Sequence, residues 1–123
     1  MAAGSIFLAG AMKMEQALLQ KYVARVKDRC GSILDRVILF GSYARGDAHV
    51  DSDIDIMILL SVPQDEIHVW ERPLNDDAYD FNMQYDIDIE PVVVSCDHFR
   101  YWTAAPFYQN VLSEGVVLYD AAA

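Results

Sequence analysis

The sequence predicts one α/β (α+β) domain, a mixed and twisted β-sheet flanked by helices, and three observations lead there. Its 123 residues are 54% hydrophobic and 23% charged, the size and balance of a single domain that buries its own core without disulfides or a structural metal. Apolar residues recur at helical spacing in some stretches and alternate strictly in others. The two kinds of stretch follow one another along the chain, the pattern of a domain built from layers of helix and sheet.

Met14, Leu18, Tyr22 and Val26, with Leu19 and Val23 beside them, mark an amphipathic helix that Gly31 ends as a C-cap. Residues 36–40 are β-branched or apolar after Arg36 and stop at Gly41, so they read as a buried strand. A glycine-containing loop over 41–50 follows. In 53–60, Ile54, Ile56, Ile58 and Leu60 share one face, and Asp53, Asp55, Met57 and Leu59 the other. Pro63, Asp65 and Glu66 suit the first turn of a helix, which Pro73 is expected to interrupt; Leu74, Ala78, Phe81 and Tyr85 then form a second helical stripe. Residues 86–95 form a third strand, with Asp86, Asp88 and Glu90 on one side and Ile87, Ile89 and Val93 on the other. Pro91 cannot donate to a ladder, which places this strand at an edge or a bulge. Helices over 97–103 and 106–114, the second opened by Pro106 and closed by Gly115, lead to a short closing strand over 116–119.

Nine basic residues against nineteen acids leave a formal net charge of −10, which disfavours autonomous binding to a nucleic-acid backbone. The charge is also unevenly spread, since residues 47–97 hold fourteen acids and one base, Arg72. A metal or a basic partner is expected there. Cys30 and Cys96 stand far apart, with no CxxC and no histidine at ligand spacing, and read as two buried thiols of a reducing cytoplasm. Residues 1–12 are small and apolar, lack a basic flank and are too short to span a bilayer. They are expected to be a leader, disordered or added in cloning, ahead of a domain over 13–120 in a cytoplasmic protein without a membrane span.

Chemistry concentrates in Gly41-Ser42-Tyr43-Ala44-Arg45-Gly46 and Asp51-Ser52-Asp53-Ile54-Asp55. A glycine directly after a buried strand lets backbone N–H groups approach a ligand, and the adjacent serine adds a hydroxyl. Such a corner suits phosphate. Asp53 and Asp55 put two hard oxygen ligands on one strand face, as needed to hold Mg²⁺ against a nucleoside triphosphate. Two rival motifs fail: the P-loop lacks its Lys-Ser/Thr, because Asp47-Ala48 stands there, and the EF-hand lacks its glycine and final glutamate, replaced by Ile56 and Val62.

The segment GSYARGDAHVDSDIDIMILL resembles the signature of the polymerase-β-like nucleotidyltransferases, and most of all the minimal nucleotidyltransferases (MNT); the likeness extends over most of residues 14–120. It implies a palm fold, two Mg²⁺ ions held by three carboxylates, and transfer of a nucleoside monophosphate from ATP or another NTP to a hydroxyl with loss of pyrophosphate. Gly41 and Ser42 would bind the β- and γ-phosphates, Asp53 and Asp55 the metals, and Arg45 and Gly46 match the nucleotide-binding motif, Arg45 steadying either the loop or a phosphate. The resemblance also implies a small helical HEPN protein as partner, with the MNT member acting as antitoxin by adenylylating a tyrosine of that toxin. A fold-retaining antitoxin that acts by binding alone and an aminoglycoside-type small-molecule transferase are the alternatives. Strand parity makes Asp86, Asp88 and Glu90 candidates for the third, metal-binding and proton-accepting carboxylate. Asp86 lies too far out; Glu90 is preferred, with Asp88 close behind.

The remaining polar and aromatic residues read as structural. His49, His68 and His98 are scattered and take no role. Trp70, Tyr101, Trp102, Phe107 and Tyr108 read as core or partner-facing surface, since no basic residues interleave with them. Asp76, Asp77 and Asp80 read as a solvated face.

Overall fold

The computed structural model describes residues 9–49, 51–102 and 104–123, with side chains from Gln16 onward. Helix α1 spans Ala9–Cys30 and leads through a 3-10 turn, Gly31–Ile33, into β1, Leu34–Phe40. A single helical turn, α2, Ser42–Arg45, precedes β2, Ile54–Leu60. A second 3-10 turn, Gln64–Glu66, opens the long helix α3, Ile67–Tyr85, which crosses over to β3, Ile89–Ser95. Two short helices, α4, Cys96–Tyr101, and α5, Pro106–Glu114, precede the closing strand β4, Val116–Asp120.

The four strands lie in the order β3-β2-β1-β4, with β1 antiparallel to both β2 and β4, and β2 parallel to β3. The sheet is therefore mixed, and β3 is an edge strand, where Pro91 is tolerated. The alternation within β2 separates two cores. Ile54, Ile56, Ile58 and Leu60 pack with Val37, Leu39, Tyr22, Val26, Leu74 and Phe81 beneath α1 and α3, whereas Met57 and Leu59 pack with Ile38, Val94, Phe99 and Val111 beneath α4 and α5. The buried free thiols fall on opposite sides of the sheet, Cys30 in the first core and Cys96 in the second, so they cannot pair. Burial pushes the Cys30 thiol up to about 11, which keeps it protonated and unreactive.

Several local expectations are corrected. Pro73 does not interrupt α3. Buried Ile67, Leu74, Ala78 and Phe81 lie along one continuous helical face, and burying that face outweighs the cost of one missing backbone bond. Residues 86–88 do not belong to β3: Asp86 takes a left-handed conformation, φ 53°, as the C-cap of α3. Helix α4 ends at Tyr101, before the expected limit, and Thr103 lies outside the described residues. α1 begins at Ala9, and residues 1–8 lie outside the described residues. Among the described residues no helix is long and apolar enough to cross a membrane.

Asp77 is not part of a solvated face. Its carboxylate accepts two hydrogen bonds from Arg29 of α1, each 2.8 Å, and lies 3.8 Å from Arg25, with only 13% of its side chain exposed. The Arg29 guanidinium holds the Asp77 carboxyl below the usual carboxylate range. A group depressed in the folded state adds stability that is complete above its unfolded value, about pH 4, and lost as pH falls through the folded one. Asp77→Asn should therefore lower stability at neutral pH and reduce the loss seen on acidification below about pH 4. Urea titrations at pH 7 and pH 3 check this; parallel acid limbs for the two proteins would refute it.

Candidate active site

The antiparallel pairing brings the end of β1 beside the beginning of β2, with Phe40 opposite Asp55. Gly41 follows with φ 74° and ψ −155°, a conformation essentially restricted to glycine. A Cβ at this position would overlap the Asp55 carboxylate oxygen. The Gly41 backbone thus forms one wall of the Asp55 site. From Gly41 the chain turns through α2, where Arg45 N donates to Gly41 O at 3.0 Å, and Gly46, left-handed at φ 83°, returns its N–H to Ser42 O. The expected loop is therefore an ordered turn; Val50 lies outside the described residues.

Asp53 sits just ahead of β2 and Asp88 just ahead of β3, and the two strands are locked in register there by Ile54 N donating to Asp88 O at 2.8 Å. Asn82 of α3 fixes the start of β3 from outside: its amide donates to Ile89 O at 3.0 Å and accepts from Ile89 N at 2.8 Å. Carboxylate oxygens of exposed Asp53, Asp88 and Glu90 consequently lie within 4.8 Å of one another. Asp55 is half-buried beside them and pairs across the ladder with Glu90.

Like charge at this range is unfavourable, and the carboxyls register it. Desolvation raises Asp55, with Asp53 and Asp88 adding to the shift and Arg45 opposing it. A hydrogen bond with Asp53 raises Asp88, helped by slight desolvation and by the Asp53 and Glu90 charges. Such a cluster of hard oxygen donors fits a divalent cation. Of the two candidates, Asp88 just ahead of β3 and Glu90 within it, both reach Asp53, and Asp88 is the one whose charge also bears on Asp55.

Arg45 leans across the opening beside the corner, 3.3 Å from Asp47 and 3.5 Å from Glu114 at the end of α5. Behind it lies a cleft of about 360 Å³ lined by Phe40, Gly41, Arg45, Phe107, Asn110, Val111 and Glu114. Sequence reasoning assigned no role to Asn110 or Glu114. Their signal was the i, i+3, i+4, i+7 spacing of Phe107, Asn110, Val111 and Glu114, which puts all four on one face of α5. Asp86, the rejected carboxylate, lies outside the cluster.

A mixed sheet with a glycine corner and converging carboxylates at one end is the architecture of a nucleotide-transferring palm domain. The chain belongs to the family described as the nucleotidyltransferase domain, whose model matches residues 19–118. The Methanocaldococcus jannaschii protein named "Putative protein adenylyltransferase MJ0604" is 34% identical over 105 residues, 85% of this chain and 98% of that protein. The similarly named MJ1305 of the same organism is 30% identical over 109 residues, 88% of this chain and 74% of that protein. Among solved structures, a toxin–antitoxin crystallised with AMP-PNP is 27% identical with a TM-score of 0.56, over 83% of this chain and 73% of that one. A candidate nucleotidyltransferase from Sulfolobus solfataricus shares the fold at 18% identity, with a TM-score of 0.57 over 99% of this chain and 92% of that one.

Gly41→Ala should cost about 2 kcal/mol of stability, through the positive φ and the displaced Asp55 carboxylate. Ser42→Ala, in a helical turn whose backbone alanine adopts without strain, should cost far less. Chemical denaturation of both variants checks the order, and equal losses would refute the close packing of Asp55 on Gly41.

Proposed function

We propose that this domain, over about residues 13–120, is a Mg²⁺-dependent protein adenylyltransferase that moves AMP from ATP to a hydroxyl of a partner protein. The observation that carries the reading is the convergence of Asp53, Asp88 and Glu90 beside an Asp55 carboxylate packed on the Gly41 backbone. The curated relatives named as protein adenylyltransferases supply the class of transfer. The toxin–antitoxin neighbour with AMP-PNP supports ATP as donor and an antitoxin role, and the likeness of the motif to the minimal nucleotidyltransferases implies a small helical HEPN toxin as acceptor. A partner with a basic contact surface fits the fourteen acids in residues 47–97. Nucleic acid and membrane are not its partners in this reading, and its place is the cytoplasm.

Asp53 and Asp55, with Asp88 or Glu90 as the third carboxylate, would hold two Mg²⁺ ions. When bound, the ions offset charge on the reacting phosphates and orient them. Backbone N–H groups of Gly41 and Ser42 hold the β- and γ-phosphates, while Arg45 and Gly46 shape that turn. The acceptor oxygen attacks the α-phosphorus, a new O–P bond forms, and the bond to pyrophosphate breaks. The hydroxyl proton passes to the carboxylate of Asp88 or Glu90. Asp88, with a carboxylate oxygen within 4.8 Å of Asp53 and a charge that also bears on Asp55, is the one we assign to take it.

Asp53→Asn and Asp55→Asn should each lower AMP transfer at least about a hundredfold, while stability holds or rises because like-charge repulsion is removed. Asp88→Asn should be as damaging, and Glu90→Gln milder. The assay follows labelled ATP onto the protein encoded by the neighbouring reading frame, with Mg²⁺ present. Full activity in the Asp53 and Asp55 variants would overturn the assignment, and a dead Glu90→Gln beside an active Asp88→Asn would move the third carboxylate to Glu90.

A further inference from the structure

The cleft beside the corner has a composition that transfer chemistry alone does not require. One face of α5 contributes Phe107, Asn110, Val111 and Glu114 to the lining, and Phe40 of β1 joins them beside Phe107. The two phenylalanine rings meet edge to face, with centroids 5.6 Å apart and planes at 85°. The Phe107 ring is therefore braced by a neighbour while remaining 46% exposed. An apolar, aromatic wall with a few convergent polar groups in a space of about 360 Å³ is what a small planar ligand needs.

The position of the cleft narrows the ligand further. Gly41 lines the cleft on one side and packs on the Asp55 carboxylate on the other, so a group seated there lies next to a phosphate held at the corner. We propose that this cleft is the nucleoside site, that Asn110 selects adenine, and that Glu114 accepts a hydrogen bond from a ribose hydroxyl. The assignment rests on the nucleotidyl-transfer reading and adds to it the residues that would set its preference for ATP.

The chemistry of the amide decides between the purines. Adenine offers a donor at N6 beside an acceptor at N7, which matches the acceptor and donor of an asparagine side chain; guanine offers acceptors at both O6 and N7, leaving the asparagine oxygen facing an acceptor. Phe107 supplies a stacking surface that any base accepts, so it contributes affinity without choice. Glu114 is the acceptor that a ribose hydroxyl requires, and Arg45, 3.5 Å away, offsets its charge near the phosphates.

The test is calorimetric titration of the whole chain with α,β-methylene ATP, α,β-methylene GTP and inorganic tripolyphosphate, each with Mg²⁺. Wild type should favour the adenine compound about tenfold. Asn110→Ala, on an exposed side chain that the fold does not need, should bring the two purines to near parity while leaving tripolyphosphate binding unchanged. Phe107→Ala should weaken both purine compounds equally. An unselective wild type, or a preference that survives Asn110→Ala, overturns the proposal. So does an Asn110→Ala variant that binds nucleotide normally yet needs more acceptor protein, because the cleft then belongs to the acceptor. Failure of the transfer reading has a different signature: tripolyphosphate would not bind, and Asp53→Asn would leave labelled-AMP transfer intact.

Discussion

The Asp55 carboxylate lies where a side chain of residue 41 would otherwise be, and the rest of the site is arranged around that contact. It requires glycine twice over, once for the room and once for the positive φ. It also requires β1 to end where β2 begins, which the antiparallel ladder provides by pairing Phe40 with Asp55. From there the parallel ladder carries the arrangement to β3 and brings Asp88 and Glu90 alongside. Four acids thus gather at one end of a sheet whose two faces are otherwise filled with aliphatic side chains. The core holds the acids together against their own repulsion.

Stability and function are consequently opposed at this end of the molecule. Desolvation and neighbouring charge both raise Asp55, and Asp53 raises Asp88. Clusters of this kind persist when the surrounding structure over-determines them. Here Asn82 pins the start of β3 by both backbone groups of Ile89. Arg45, tied to Asp47 and Glu114, supplies the cation among the described residues that opposes the upward shift of the Asp55 carboxyl.

Much of this was legible in the sequence because strands write their faces with a period of two. The alternation of Ile54, Ile56, Ile58 and Leu60 against Asp55, Met57 and Leu59 is the division between the two cores, and it placed Asp53 and Asp55 toward the acids of the third strand. Helix α5 was equally plain, with Pro106 at its start and Gly115 after its end. Local signals misled where tertiary burial overrode them, as at Pro73, whose helix continues under the pull of Leu74, Ala78 and Phe81. Distant pairings left no local trace. Asp77 looked like one more surface acid because its partner Arg29 lies 48 residues away. The cleft stayed hidden for the same reason, since Arg45 and Glu114 are 69 residues apart.

Ladder geometry at β3 has a consequence for how the sheet can grow. In a strand, alternate residues turn their backbone N–H and C=O groups outward, and the outward position of Ile89 is shared by Pro91, Val93 and Ser95. Asn82 occupies both groups of Ile89, Pro91 has no N–H, and Gln64 accepts from Ser95 N at 3.2 Å. A foreign strand would find little but Val93 to pair with on this side. Lateral extension of the sheet is therefore blocked at the edge that carries Asp88 and Glu90, and these carboxylates keep an open approach from solvent. Strand addition, with its attendant risk of polymerisation, is confined to β4 at the far edge.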